Sequence, residues 1–200
     1  VMSDVMTILE GKKIGIHHVM SRLEHRINSL STLQDIQAFV GEIQEYIHQM
    51  LRIAQQKGKN GRVQHLRLNS YGFIQHIQYY AAARMYWDEK NQNIPRLLDV
   101  IESIVTRRLI LHGKNISKLF YSIAPKHLAS IRECDKDDEM QKKCIEKMRK
   151  DFSESNENPS DFEITEILKT QFFDIDSTGG KNKIIATLVC LETDTKFTTH

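Results

Sequence analysis

Apolar residues recur at spacings of three and four along most of the chain, from Ile16 to about Ile131. This spacing places side chains on one face of an α-helix and predicts a series of amphipathic helices. Only about the last thirty residues change to the β-branched pattern that is typical of strands. The sequence therefore predicts a mainly α fold, an antiparallel bundle of five to six helices followed by a short α+β element with a β-hairpin.

The first two predicted helices have the most regular patterns. The first runs from about Ile14 to Leu30, and Ser31 to Gln34 reads as a capping box that begins the second. The second helix extends to about Gln56. We expect its apolar stripe, widened by Phe39 and Tyr46, to face the core, and the stripe consists of Leu33, Ile36, Val40, Ile43, Ile47, Met50 and Leu51.

The middle of the chain predicts three further helical segments. One covers about Arg62 to Lys90 and is interrupted near Gly72, and the next follows a first-turn proline, Pro95. The last of these segments, the fifth helix of the chain, begins near Asn115, which we read as a helix cap, and we expect Pro125 to kink or split it.

The C-terminal part is more polar and indicates the domain boundaries. A charged sixth helix from Asp135 to Lys150 completes a helical bundle domain over residues 1–150, and a polar linker occupies residues 151–160. Residues 161–200 read as the start of a truncated α+β element. A capping-box pattern over Ser160 to Glu163 begins a helix over 161–170, and a hairpin follows over 171–192. Because the chain starts at Val1 and ends without a polar tail, we expect a fragment of a larger multidomain protein.

Composition indicates an ordinary globular protein, with 40% hydrophobic and 27% charged residues. No apolar run approaches the roughly 18 residues of a membrane span. Three cysteines are an odd and sparse set, which argues against a disulfide scaffold and favours an intracellular site, cytoplasmic rather than nuclear.

Candidate metal and catalytic motifs are weak. The nine histidines lack the i, i+4 spacing of ligands on one helix face, and the cysteines form no C-x-x-C pair. Residues 174–179 match the first half of a calcium loop, but its twelfth position is Ile185 where a glutamate is required. With no nucleophile elbow, P-loop or dinucleotide motif, we assign no catalytic residue, metal or cofactor.

An aromatic cluster in the third helical segment points to a protein partner. Adjacent residues on a helix differ by about 100° in direction, so these side chains cannot all face one core. We expect the exposed members to anchor an interface, with Trp87 the first choice, followed by Tyr80, Arg84 and Tyr86.

A basic patch offers an alternative function. Lys57, Lys59, Arg62 and Arg67 lie close together in sequence, and residues 61–133 hold eleven Lys/Arg against five Asp/Glu. Residues 134–170 hold seven against eleven, so the two regions either pair within the fold or one of them steers a partner. Nucleic-acid binding, to RNA, would use this patch, although no reader motif is present.

These observations favour a non-enzymatic helical scaffold or protein-protein interaction module. Two alternatives remain open: nucleic-acid binding through the basic middle segment, and an accessory helical domain of an enzyme whose active site lies outside this stretch.

Overall fold

The computed structural model describes residues 2–55, 60–111, 116–155 and 159–170, together with Lys181 and Ile184. Within these residues the chain forms α-helices and no strand, so the predicted helical bundle is confirmed. Most of the predicted hairpin lies outside the described residues, and the two residues of it that are described are helical. The helices are α1 (Met2–Glu10), α2 (Val19–Asn28), α3 (Leu33–Ala54), α4 (Arg62–Ser70), α5 (His76–Tyr86), α6 (Asn93–Val105), α7 (Ser117–Cys134), α8 (Asp138–Ser153) and α9 (Asp161–Thr170).

Helix α5 lies at the centre of the bundle. It packs against α3, α4, α6 and α7, so seven of its eleven residues are buried and none is exposed. Three consecutive alanines, Ala81, Ala82 and Ala83, are completely buried. Because alanine is both small and the best helix former, it lets neighbouring helices approach closely on every side without weakening the helix.

Several predicted boundaries move by a few residues. The first predicted helix begins later, at Val19, after a 3₁₀ turn over Ile16–His18, and α1 precedes it where no helix was predicted. Helix α7 runs through Pro125 without splitting, at the cost of one backbone hydrogen bond. The third predicted segment is divided near Gly72, as expected, into α4 and α5.

The caps of two helices follow side-chain chemistry. The capping box predicted at Ser31 begins one residue later, at Thr32. The Asp35 amide donates to Thr32 Oγ1 and the Thr32 amide donates to Asp35 Oδ2, each at 3.0 Å. The box predicted for α9 is confirmed, with Ser160 and Glu163 bonded reciprocally. Both caps satisfy amides that a helix N-terminus leaves unpaired.

The basic middle of the chain pairs with the acidic part that follows it. Arg107 contacts Asp161 of α9 at 2.7 Å, and Lys126 of α7 contacts Asp151 of α8 at 3.1 Å. Of the two interpretations of the opposite charges, pairing within the fold is therefore realised at these positions.

Adding a methyl group should have opposite effects on stability at two glycines, Gly61 and Gly41. Gly61 has φ +74°, and a Cβ there would lie 2.7 Å from Leu98 Cδ1 and 3.1 Å from Ile94 Cγ2, whereas a Cβ on Gly41 of α3 meets nothing within 4 Å. We expect Gly61→Ala to destabilise the fold by about 1–3 kcal/mol, and Gly41→Ala to stabilise it by about 0.5–1 kcal/mol. Urea unfolding of both variants tests this, and equal shifts would contradict the placement of Gly61 against α6.

Candidate functional site

Helix α3 carries two apolar faces, and only one of them enters the bundle. Phe39, Tyr46 and Ile53, seven residues apart, are buried against the rest of the bundle. The predicted stripe is instead split, because Ile36, Ile43 and Met50 are only partly buried at the edge of this core. The other stripe residues point outward, and their exposed fractions are 70% for Leu33, 43% for Val40, 36% for Ile47 and 55% for Leu51.

The prediction that the whole stripe faces the core is therefore wrong. The stripe has the right helical period, but the bundle uses the side of α3 that carries the aromatic residues. An apolar arc wider than one face cannot be buried against a single layer of neighbours. The residues left outside, Leu33, Val40, Ile47 and Leu51, are called the outer face of α3 below.

The outer face of α3 is also free of charge beyond its first turn. The charged side chains of the helix are used elsewhere: Asp35 caps it, Glu42 contacts Arg132 at 3.2 Å, Arg52 contacts Glu89 at 2.6 Å, and Glu45 accepts a hydrogen bond from Gln49. The exposed residues other than Asp35 and His48 are uncharged, namely Leu33, Gln34, Gln37, Ala38, Val40, Gly41, Gln44, Ile47, Leu51 and Ala54. His48 Nδ1 lies 3.7 Å from Glu45 Oε2, and both side chains are partly exposed beside this face.

Gly41 lies within this neutral surface, in the interior of the helix. Glycine in a helix interior costs about 1 kcal/mol relative to alanine. The fold of the chain does not require it, because an added Cβ would meet open space. A glycine at such a place lets another backbone approach α3 closely.

The structure places the predicted partner-binding residues inside the bundle. Trp87 is 1% exposed, and its Nε1 donates to the carbonyl of Ile131 at 2.8 Å. Tyr80 is buried and donates to the Asn60 carbonyl at 2.6 Å, while Tyr86 is partly buried against the core. The expectation that these aromatic residues are exposed is therefore wrong.

Arg84 is buried as well, in a polar network between helices. Its Nε donates to Gln49 Oε1 and its Nη2 to Glu89 Oε2, both at 2.9 Å. A buried guanidinium is stable only when it is paired and hydrogen-bonded in this way. Arg84 thus holds α5 to α3, and it is not presented to a partner.

Only two of the four residues of the predicted basic patch belong to the part of the chain that the structure describes. Lys57 and Lys59 lie outside the described residues, and Arg62 is exposed. The Nε of Arg67 lies 2.8 Å from Glu102 Oε1, so this cation is neutralised within the fold. Burial raises the pKa of Glu102, and the nearby Arg67 opposes that rise.

Two buried histidines form a hydrogen-bonded chain. His76 Nδ1 donates to the Phe73 carbonyl at 2.5 Å, and His65 Nδ1 lies 2.8 Å from His76 Nε2. Asn69 Nδ2 lies 3.1 Å from His65 Nε2, so one neutral tautomer of each ring satisfies every contact. Burial lowers the pKa of both imidazoles, that of His76 to about 4.

A third buried histidine belongs to a Tyr–His–Asp arrangement. Tyr79 Oη lies 3.3 Å from His127 Nδ1, and His127 Nε2 lies 3.0 Å from Asp151 Oδ2. The order resembles a catalytic triad, but the Tyr79 side chain is completely buried and burial raises its pKa. No substrate can reach this hydroxyl, so the arrangement serves to join α5, α7 and α8.

The search for other sites was made over the described residues. In that part of the chain no three His, Cys, Asp or Glu side chains are grouped so as to hold a metal ion. Cys134 and Cys144 are free thiols in the core. None of the described helices has both the length and the apolar composition needed to cross a bilayer.

No protein-family model, curated protein or solved structure matches the chain. The candidate role of the outer face of α3 therefore follows from the chemistry of its own residues alone.

Truncation of Trp87 tests its place in the core. We expect Trp87→Ala to destabilise the fold by about 3–5 kcal/mol, because it leaves a large cavity and an unpaired Ile131 carbonyl. Urea denaturation measures the change. A loss below about 1 kcal/mol would show that Trp87 is exposed.

The buried histidines predict a stability that falls in acid. An unfolded imidazole takes up a proton below a pH of about 6.5, whereas His76 stays neutral in the fold down to about pH 4. The unfolded chain therefore binds more protons between these values, so stability is full above pH 6.5 and decreases as the pH falls. The contribution of His76 amounts to roughly 3 kcal/mol at its limit.

The measurement is urea unfolding between about pH 7.5 and 4.5. We expect His76→Gln to flatten this dependence more than the same substitution at His17, an exposed residue of the 3₁₀ turn before α2. Constant stability of the unmodified chain over this range would contradict the prediction.

Proposed function

We propose that the chain is a non-enzymatic helical scaffold that assembles through the outer face of α3. The observation that carries the proposal is the row of exposed apolar side chains on α3, Leu33, Val40, Ile47 and Leu51, which contains no charged residue. Single exposed apolar residues are common on protein surfaces, but an apolar row without charges along a helix about 33 Å long is typical of an interface.

The proposed occupant of this face is α3 of a second copy of the chain. An interface between identical copies brings the same patch from both sides, so the patch must be complementary to itself. A patch of one charge sign would repel its copy, whereas a neutral apolar patch does not. Leu33, Val40 and Ile47 recur every seven residues, with Ile36, Ile43 and Met50 between them, and this is the spacing at which two helices interlock.

The expected dimer is weak and reversible. Burying a whole Leu, Ile or Val side chain contributes about 1.5–3 kcal/mol. The four residues of the outer face are about half exposed, so eight side chains from two copies contribute roughly 8 kcal/mol. Association itself costs about 4–15 kcal/mol, so the two terms are of similar size and the dimer is weak.

Analytical ultracentrifugation of the purified chain, from about 5 to 500 µM, tests the proposal. We expect a concentration-dependent dimer. Val40→Glu should weaken it at least tenfold, or about 1.4 kcal/mol, because the symmetric interface then buries two like charges.

The matched control is Val63→Glu, the same substitution at an exposed valine on α4. It should leave the dimer unchanged, and both variants should keep the melting temperature of the parent within a few degrees. A chain that remains monomeric throughout, or an equal effect of the two substitutions, would overturn the proposed occupant of α3.

A further inference from the structure

We infer that a cleft between the end of α1 and the exposed side of α2 binds the phosphate groups of a small ligand. The cleft has a volume of about 380 Å³, within the size range of small-molecule sites. None of the described residues that line it is acidic. Its lining consists of Lys12, Lys13, Ile14, Gly15, His18, Ser21, Arg22 and His25.

One wall of the cleft is a single face of α2. His18, Ser21, Arg22 and His25 stand at positions i, i+3, i+4 and i+7, which superimpose on one side of a helix. On its other side, α2 contacts the bundle through the buried Val19. Ser21 Oγ already donates to the His18 carbonyl at 3.1 Å, so Arg22 and the two histidines are the groups that this wall offers to a ligand.

The other wall is a short turn that the fold holds in place. Gly11 ends α1 with φ +64°, and its amide donates to the Thr7 carbonyl at 3.0 Å. Ile14 is buried as an anchor, its amide donates to Thr7 Oγ1 at 3.1 Å, and its carbonyl accepts from Ser3. The turn thus fixes the backbone that carries the two exposed lysines.

The two lysines differ in their surroundings. Lys13 Nζ lies 4.4 Å from the centroid of the Tyr121 ring, a cation–π contact that orients it without neutralising it. Lys12 Nζ lies 3.3 Å from Glu10, so part of its charge is compensated. Arg22 makes no ion pair with another described residue, and its fork of donors is the strongest single phosphate-binding group here.

The combination selects a phosphorylated ligand over a neutral one. Lysine and arginine donate to tetrahedral oxyanions, and the histidines add positive charge when they are protonated. The net charge of the whole chain is only +2, so general attraction to polyanions is weak and local geometry must provide the binding. A volume of about 380 Å³ accommodates more than one phosphoryl group.

Two apolar side chains beside the cleft distinguish two sources of such a phosphate. Ile16 and Met20 are 79% and 65% exposed, and each directly adjoins a lining residue. A soluble phosphorylated molecule would not need them, whereas a phosphoinositide headgroup in a vesicle would bring the lipid interface against both.

Calorimetry with inorganic pyrophosphate, at about 0.1 M salt, tests the site. We expect saturable 1:1 binding that Arg22→Gln weakens at least tenfold and that Arg22→Lys partly restores. Arg149→Gln, the same change at an exposed arginine on α8, should have no effect. Pyrophosphate should also raise the melting temperature of the parent but not that of Arg22→Gln.

A vesicle arm identifies the source of the phosphate. Co-sedimentation with vesicles containing phosphatidylinositol bisphosphate should depend on Arg22, and an additional loss with Ile16→Ser plus Met20→Ser assigns the ligand to a lipid headgroup. Pyrophosphate binding without co-sedimentation assigns it to a soluble molecule. Absence of binding to both probes, or equal binding by Arg22→Gln and Arg149→Gln, overturns the site. None of these substitutions touches the outer face of α3, so the cleft and the dimer fail or succeed separately.

Discussion

The burial of α5 on every side is the constraint on which the rest of the structure depends. A helix enclosed by four neighbours needs small residues where they come closest, and Ala81, Ala82 and Ala83 meet that need. It must also find a partner inside the bundle for each polar atom it carries, because an unpaired buried donor costs about 1–3 kcal/mol. The polar side chains of α5 therefore determine which residues of the neighbouring helices face inward.

Those polar contacts connect α5 to most of the helices around it. Arg84 bonds to Gln49 of α3, Tyr79 to His127 of α7, and His76 to His65 of α4. Trp87, directly after α5, bonds to the Ile131 carbonyl of α7. Such contacts give the bundle a specific arrangement that apolar packing alone leaves open. They also explain why residues with the chemistry of an interface or a catalytic site are internal here.

The surface left by this arrangement contains two features that the packing of the described residues does not use. The outer face of α3 is apolar and neutral because the bundle occupies only the side of the helix with Phe39 and Tyr46. The side of α2 that lines the cleft carries Arg22 and His25 and no acidic residue, and the bundle does not cover it. One surface suits an identical helix and the other suits phosphate, and the two lie on consecutive helices joined by a short turn.

The sequence by itself determined the helical class, most helix positions, the division near Gly72 and the cap at Ser160, because these depend on local periodicity and on side chains three residues apart. Tertiary structure decided which face of each helix is inside. The stripe of α3 has a correct period, yet its direction depends on neighbours distant in sequence, and the aromatic residues around Trp87 are internal only because α5 has no solvent side. The cleft follows the same rule: the i, i+3, i+4, i+7 spacing on α2 is visible in the sequence, but only the fold brings Lys12 and Lys13 opposite Arg22.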